Sequence, residues 1–188
     1  MKKLSLMFML AVLLTACGGN DDEPAKVADL NVKALTTMIG QNFSYVKNHF
    51  TDGEGISETA SLLMYNVKTP NGDYSVSFKG ASAINQIVVY RLCDTYDTGI
   101  AAYRTEMDRI NSTLTFEMYM GHYKSNTAGL IDFSNRSELW DYINENDVSS
   151  TVYETWWIEN TADVKFTVEG VFNRSNNSIT IEIERKEW

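Results

Sequence analysis

Val164-Lys165-Phe166-Thr167-Val168-Glu169-Gly170-Val171-Phe172-Asn173 and, shortly after it, Ile179-Thr180-Ile181-Glu182-Ile183-Glu184-Arg185 decide the fold of this 188-residue chain. In the first run Val164, Phe166, Val168 and Phe172 alternate with Lys165, Thr167 and Glu169. In the second, Ile179, Ile181 and Ile183 alternate with Thr180, Glu182 and Glu184. An extended chain sends successive side chains to opposite sides, so a period of two gives each strand one apolar and one polar face. Strands of this kind pair antiparallel, the apolar face on a core and the polar face toward water.

Residues 151–159 extend the same sheet by a third strand. Nearer the N-terminus, strands are expected at about 58–69, 74–80 and 84–94; in the middle one Tyr74, Val76 and Phe78 alternate with Ser75, Ser77 and Lys79. Pro70-Asn71-Gly72-Asp73 joins the first two as a hairpin, because an Asn-Gly pair accepts the positive φ values of a tight turn. Ile84-Asn85-Gln86-Ile87-Val88-Val89-Tyr90 is apolar on both faces and belongs toward the middle of the sheet.

Elsewhere the period changes to three and four. Leu30, Leu35, Met38 and Ile39 make a helical stripe from Asp29 until Gly40, and Phe43, Val46 and Phe50 make a second one. Ile100, Tyr103, Met107, Ile110 and Leu114 mark the longest helix, about 97–119, with Asp97 or Thr98 as its cap. Past a loose stretch at 121–129, Leu139, Trp140 and Ile143 lie on a helix that starts at Ser134 or Asn135. The expected fold class is α+β: an antiparallel sheet with helices packed on one face, built as two helix-helix-three-strand halves in tandem. The halves are about 29–95 and 96–188, within a single domain 29–188.

The N-terminus carries an address. Lys2 and Lys3 precede an apolar run, 4–14, too short to span a bilayer, which is the pattern of a signal peptide covering 1–16. Leu14-Thr15-Ala16-Cys17 resembles the lipobox of bacterial lipoproteins, a resemblance that implies a lipid on Cys17, palmitate among its acyl chains, and membrane anchoring through it. Residues 17–28 hold Gly18-Gly19, the acidic Asp21, Asp22 and Glu23, and Pro24, with little to bury, so they form a flexible acidic tether reaching roughly 20 Å. An acidic cluster just after the lipidated cysteine also resembles the surface-export signal of Bacteroidetes lipoproteins, which implies the outer membrane and its cell-surface side.

Loss of residues 1–16 removes Lys2 and Lys3 and moves the net charge from −9 to −11. Such a chain is repelled by phosphate backbones and anionic headgroups, so nucleic acid is not an expected partner and the membrane is reached through the lipid. With Cys17 acylated, Cys93 has no partner for a disulfide; following a strand, it suits a small buried hydrophobe.

The element order resembles the helix-loop-helix and sheet modules of the beta-lactamase inhibitor protein and of small outer-membrane assembly lipoproteins. Gly40-Gln41-Asn42-Phe43-Ser44-Tyr45-Val46-Lys47-Asn48-His49-Phe50 is similar to the glycine-led helix of those modules. The resemblance covers residues 30–94, implies a non-enzymatic scaffold and transfers no functional residue.

Catalytic motifs fail one by one, so no enzyme and no cofactor are expected. Asp97-Thr98-Gly99 has the letters of an aspartic protease but no second copy to share its proton, and it opens a helix. Asp94 to Gly99 begins like a calcium loop, yet Tyr96 and Thr98 fill ligand positions and Thr105 stands where a bidentate Glu belongs. The two histidines, His49 and His122, have no neighbours at metal-ligand spacing, so no metal site is expected. Glu154 and Glu169 remain a formal carboxylate pair.

Tyr153-Glu154-Thr155-Trp156-Trp157 carries the one functional lean. On a strand, Trp156 and Trp157 point to opposite faces. One belongs to the core, and the other is either an exposed platform extended by Tyr153 or a second buried ring beneath a helix. Two functions stay open: a non-catalytic, lipid-anchored binding module for protein, peptide or glycan, and a structural or assembly accessory of the outer membrane without a soluble ligand.

Overall fold

The computed structural model describes residues 31–51, 53–70, 72–159 and 165–186. The expected signal peptide 1–16, Cys17, the tether to 28 and Val164 lie outside them. The chain runs α1 (Val32–Thr36), α2 (Phe43–His49), β1 (Glu54–Glu58), β2 (Leu62–Val67), β3 (Tyr74–Lys79), β4 (Gln86–Leu92), α3 (Tyr96–Thr113), β5 (Met118–Ser125), β6 (Gly129–Phe133), α4 (Arg136–Asn146), β7 (Thr151–Glu159), β8 (Lys165–Asn173) and β9 (Ser178–Lys186). The strands form one antiparallel sheet in the order β1-β2-β3-β4-β9-β8-β7-β5-β6. The fold is mixed α+β around an open antiparallel sheet.

Register carries one apolar face across the strands. Tyr65 faces Val76, Val76 faces Val89, Val89 faces Ile181, and Ile181 faces Gly170. Phe172 continues the face to Val152 and Val152 to Tyr123. Val76, Phe78, Ile87, Ile181, Ile183, Val168, Phe172 and Val152 are fully buried. Phe166, Val168 and Phe172 share this face with Ile179, Ile181 and Ile183, as the alternation predicts.

Two glycines set the depth at which helices meet this face. A Cβ on Gly170 would lie 2.0 Å from the Met107 sulfur, and the Tyr103 hydroxyl donates to the Gly170 carbonyl at 3.1 Å, so α3 sits directly on β8. A Cβ on Gly121 of β5 would come within 2.8 Å of Leu139 on α4. Beyond α2, Phe50 meets Phe78 and Tyr65 edge-on at 5.2 and 5.0 Å. The loop before α2 is tied to the segment leading into β4 by Gly40 N–H donating to the Ile84 carbonyl at 2.7 Å.

Short polar residues start the helices by accepting orphan amide protons. Asn31, Asn42 and Asn135 cap α1, α2 and α4. The cap of α3 is Thr95, which forms a capping box with Thr98, so the helix begins before the expected Asp97 or Thr98.

The element order departs from two copies of helix-helix-three-strands. Residues 58–69 divide at a turn closed by Thr59 N–H donating to the Leu62 carbonyl at 2.8 Å, and a further strand, β1, precedes it. All five β1 residues are exposed, so the strand has no buried face to print a period on the sequence. The α3 helix stops at Thr113, not 119, and the loose stretch is a hairpin, β5 and β6, between the last two helices. Gly121 hides it: the residue facing the core there has no side chain, which breaks the alternation of Tyr119 and Tyr123.

Candidate functional site

Strand β7 divides the aromatic cluster between the two faces. Trp156 lies on the apolar face, fully buried, its indole N–H donating to Asn111 Oδ1 at 3.1 Å and its ring 5.5 Å from Tyr119. Trp157 and Tyr153 share the opposite face and are both half-buried. Along one strand they are about 13 Å apart, four residues at about 3.3 Å each. Their cross-strand neighbours on β5 are Met118, exposed, and His122, half-buried. Met118 and Leu130, at 47% and 59% exposure, put apolar surface on a face that also carries Lys124, Glu169 and Glu182. This face is not uniformly wet, because Thr151, Thr155, Thr167 and Ser178 are buried on it between longer neighbours.

At its β5–β6 end the Trp157 face sinks into a cavity of about 490 Å³ lined by His122, Lys124, Gly129, Leu130 and Tyr153. Register explains the grouping: Lys124 pairs with Leu130 and His122 with Tyr153, so their side chains rise on the same side of three adjacent strands. His122 Nδ1 is 2.7 Å from Asp132 Oδ1 across the hairpin, which orients the ring. Lys124 makes no ion pair among the described residues. The sequence does not single out Leu130, because Gly121 keeps residues 118–125 from showing the alternation of the strand that aligns it with Tyr153.

Further along the face Glu169 and Glu182 stand directly opposite each other. Thr155 Oγ1 donates to Glu169 Oε2 at 3.3 Å, and Gln86 Nε2 to Glu182 Oε1 at 2.6 Å. Burial, with Glu182 adding to it, pushes the Glu169 carboxyl above the usual carboxylate range.

Glu154 belongs to the apolar face, between Gly121 and Gly170, and is fully buried. Arg136 Nε donates to its Oε2 at 2.6 Å, and the Tyr119 hydroxyl donates to the same oxygen at 3.0 Å; Arg136 Nη1 reaches Asp108 at 2.6 Å. Burial raises the Glu154 carboxyl although Arg136 pulls the other way, and it raises the Tyr119 phenol more strongly. Glu154 Oε1, Trp140 Nε1 and Arg136 Nη2 are buried with no hydrogen-bond partner among the described residues. Since Glu154 and Glu169 lie on opposite faces of the sheet, they cannot flank one glycosidic bond.

The remaining sequence candidates fall to structural roles. Asp97-Thr98-Gly99 is the first turn of α3, where a Cβ on Gly99 would meet Phe172 at 2.8 Å. The Cys93 thiol is half-buried and pushed up by burial, which suppresses the reactive thiolate. His49 stacks on Tyr45 at 3.9 Å, far along the chain from His122. Among the described residues no group of three or more His, Cys, Asp and Glu could hold a metal ion, and no helix is long and apolar enough to cross a membrane. Comparison with family models, with curated proteins and with solved structures finds no match to this chain.

Proposed function

We propose that the protein is a non-catalytic binding module, held by a lipid on Cys17 at the cell-surface side of the outer membrane, that engages its partner through the Trp157 face of the sheet. The observation that carries this reading is the division of adjacent tryptophans: Trp156 completes the core, while Trp157 and Tyr153 stay half-open beside the exposed Met118 and Leu130. Aromatic rings on a strand are stiff platforms that lose little conformational freedom on contact, which suits recognition. We further read the helices as covering only the apolar face. Contacts of Met107, Tyr103, Leu139 and Phe50 with residues of that face support this. On the same reading, residues 29–95 and 96–188 are two helix-and-sheet halves joined where β4 meets β9.

Hydroxyl-radical footprinting on intact cells, against the purified chain, tests the occupied face. Oxidation of Trp157, Tyr153 and Met118 should fall on the cell while that of the exposed Ile56 at the far edge stays the same. Equal oxidation of all four in both settings would favour the structural accessory instead.

A further inference from the structure

The geometry points to the cavity beside Tyr153 as a binding site for an acidic sugar, a pyranose ring carrying a carboxylate. This deepens the binding role proposed for the Trp157 face and rests on it. A cavity of about 490 Å³ falls within the span of small-ligand pockets, roughly 300–1,000 Å³. Its floor combines an aromatic ring, Tyr153, with the exposed Leu130, a surface that matches the C–H face of a sugar ring.

Charge selects the acidic class. The chain is strongly acidic, yet the cation in this cavity, Lys124, makes no ion pair among the described residues. The carboxylate across the hairpin, Asp132, is engaged by His122. Lys124 is exposed and hydrated, so a ligand carboxylate can reach its ammonium and gain a charge-assisted hydrogen bond without displacing a counter-charge of the protein. His122 Nε2 and the Tyr153 hydroxyl, neither with a partner among the described residues, are left for ring hydroxyls. Trp157, about 13 Å along β7, gives an oligosaccharide a second ring to rest on.

Calorimetric titration of the whole chain with a galacturonic acid trimer, with the same trimer after reduction of its carboxyls to alcohols, and with benzoate tests the assignment. The acidic trimer should bind saturably and at least tenfold more tightly than the reduced one, and Lys124→Ala should bring the two to parity. Tyr153→Ala should abolish binding while Tyr153→Phe, which keeps the ring and loses the hydroxyl, should only weaken it, with melting curves showing that each variant folds. Equal binding of both trimers, no saturable binding of the acidic one, or an unaltered preference in Lys124→Ala would overturn the proposal. Benzoate binding in place of the trimer would overturn it in favour of aromatic acids. Should no trimer bind while Trp157 and Met118 stay protected on cells, the acidic-sugar assignment falls and the binding face stands; loss of both removes the binding face as well.

Discussion

Glu169 and Glu182 oppose each other across β8 and β9, an arrangement worth roughly 0.2–1 kcal/mol against folding for like charges. Burial first, then Glu182, raises the Glu169 carboxyl, while Thr155, Lys186 and His122 draw it back. For an acid whose pKa rises on folding, the folded chain holds its proton more tightly than the unfolded one. That contribution to stability is full below the unfolded value, about 4.3, and is lost as pH rises through the folded value. Glu169→Gln should therefore stabilise the protein at pH 7 by up to about 1 kcal/mol and lose the advantage toward pH 4, as read by urea unfolding at both; an equal effect at the two pH values would contradict the linkage. The two faces of β8 give a second contrast at single positions. Phe166, buried, should cost about 3–5 kcal/mol on truncation to Ala, whereas Lys165→Ala on the other face should cost less than about 1 kcal/mol by the same denaturation.

Helix α3 shows how far local pattern carries. The stripe Tyr103, Met107 and Ile110 is buried as its spacing predicts, but the start of the helix is set by side-chain chemistry that periodicity does not see. Thr95 and Thr98 box its N-terminus, so Thr95→Ala should cost about 1 kcal/mol, measurable as a lower melting temperature with unchanged helix content. At the other end Leu114 keeps helical spacing from Ile110 although it is already the C-cap, its N–H on the Ile110 carbonyl at 3.0 Å. Strands β3, β8 and β9 were legible because each sets a buried apolar row against a polar one, and β4 because Ile87, Val88 and Val89 make a continuous apolar run. The edge strands β1 and β6 were not, for neither contains a residue that is fully buried. The cavity inherits that blindness, since Leu130 of β6 is one of its walls. Tyr153 and Trp157 were named from sequence, but their company of His122, Lys124 and Leu130 depends on pairings between strands distant along the chain.

At the scale of the molecule, one sheet joins the strands before α3 to those after it, and Phe172 of β8 packs between Tyr96 and Tyr103 of that helix. Membrane attachment is asked of Cys17 alone: Cys17→Ser should move the protein from the membrane pellet to the soluble fraction or block its processing, and unchanged detergent-requiring association would remove the lipid anchor from the proposal. The folded core should melt at the same temperature in either form, because among the described residues the buried side chains begin at Val32. The position of β9 has a different sort of consequence. It is the last strand in chain order yet the fifth of nine in space, bonded to β4 on one side and β8 on the other. A ribosome delivers it after everything it joins, so a nascent or prematurely terminated chain ending before Ser178 exposes two long unpaired edges, β4 with Ile87, Val88 and Val89 and β8 with Phe166, Val168, Val171 and Phe172. Such edges invite pairing with another chain. Release of the whole chain before its sheet closes lets β9 reach both neighbours before another chain does.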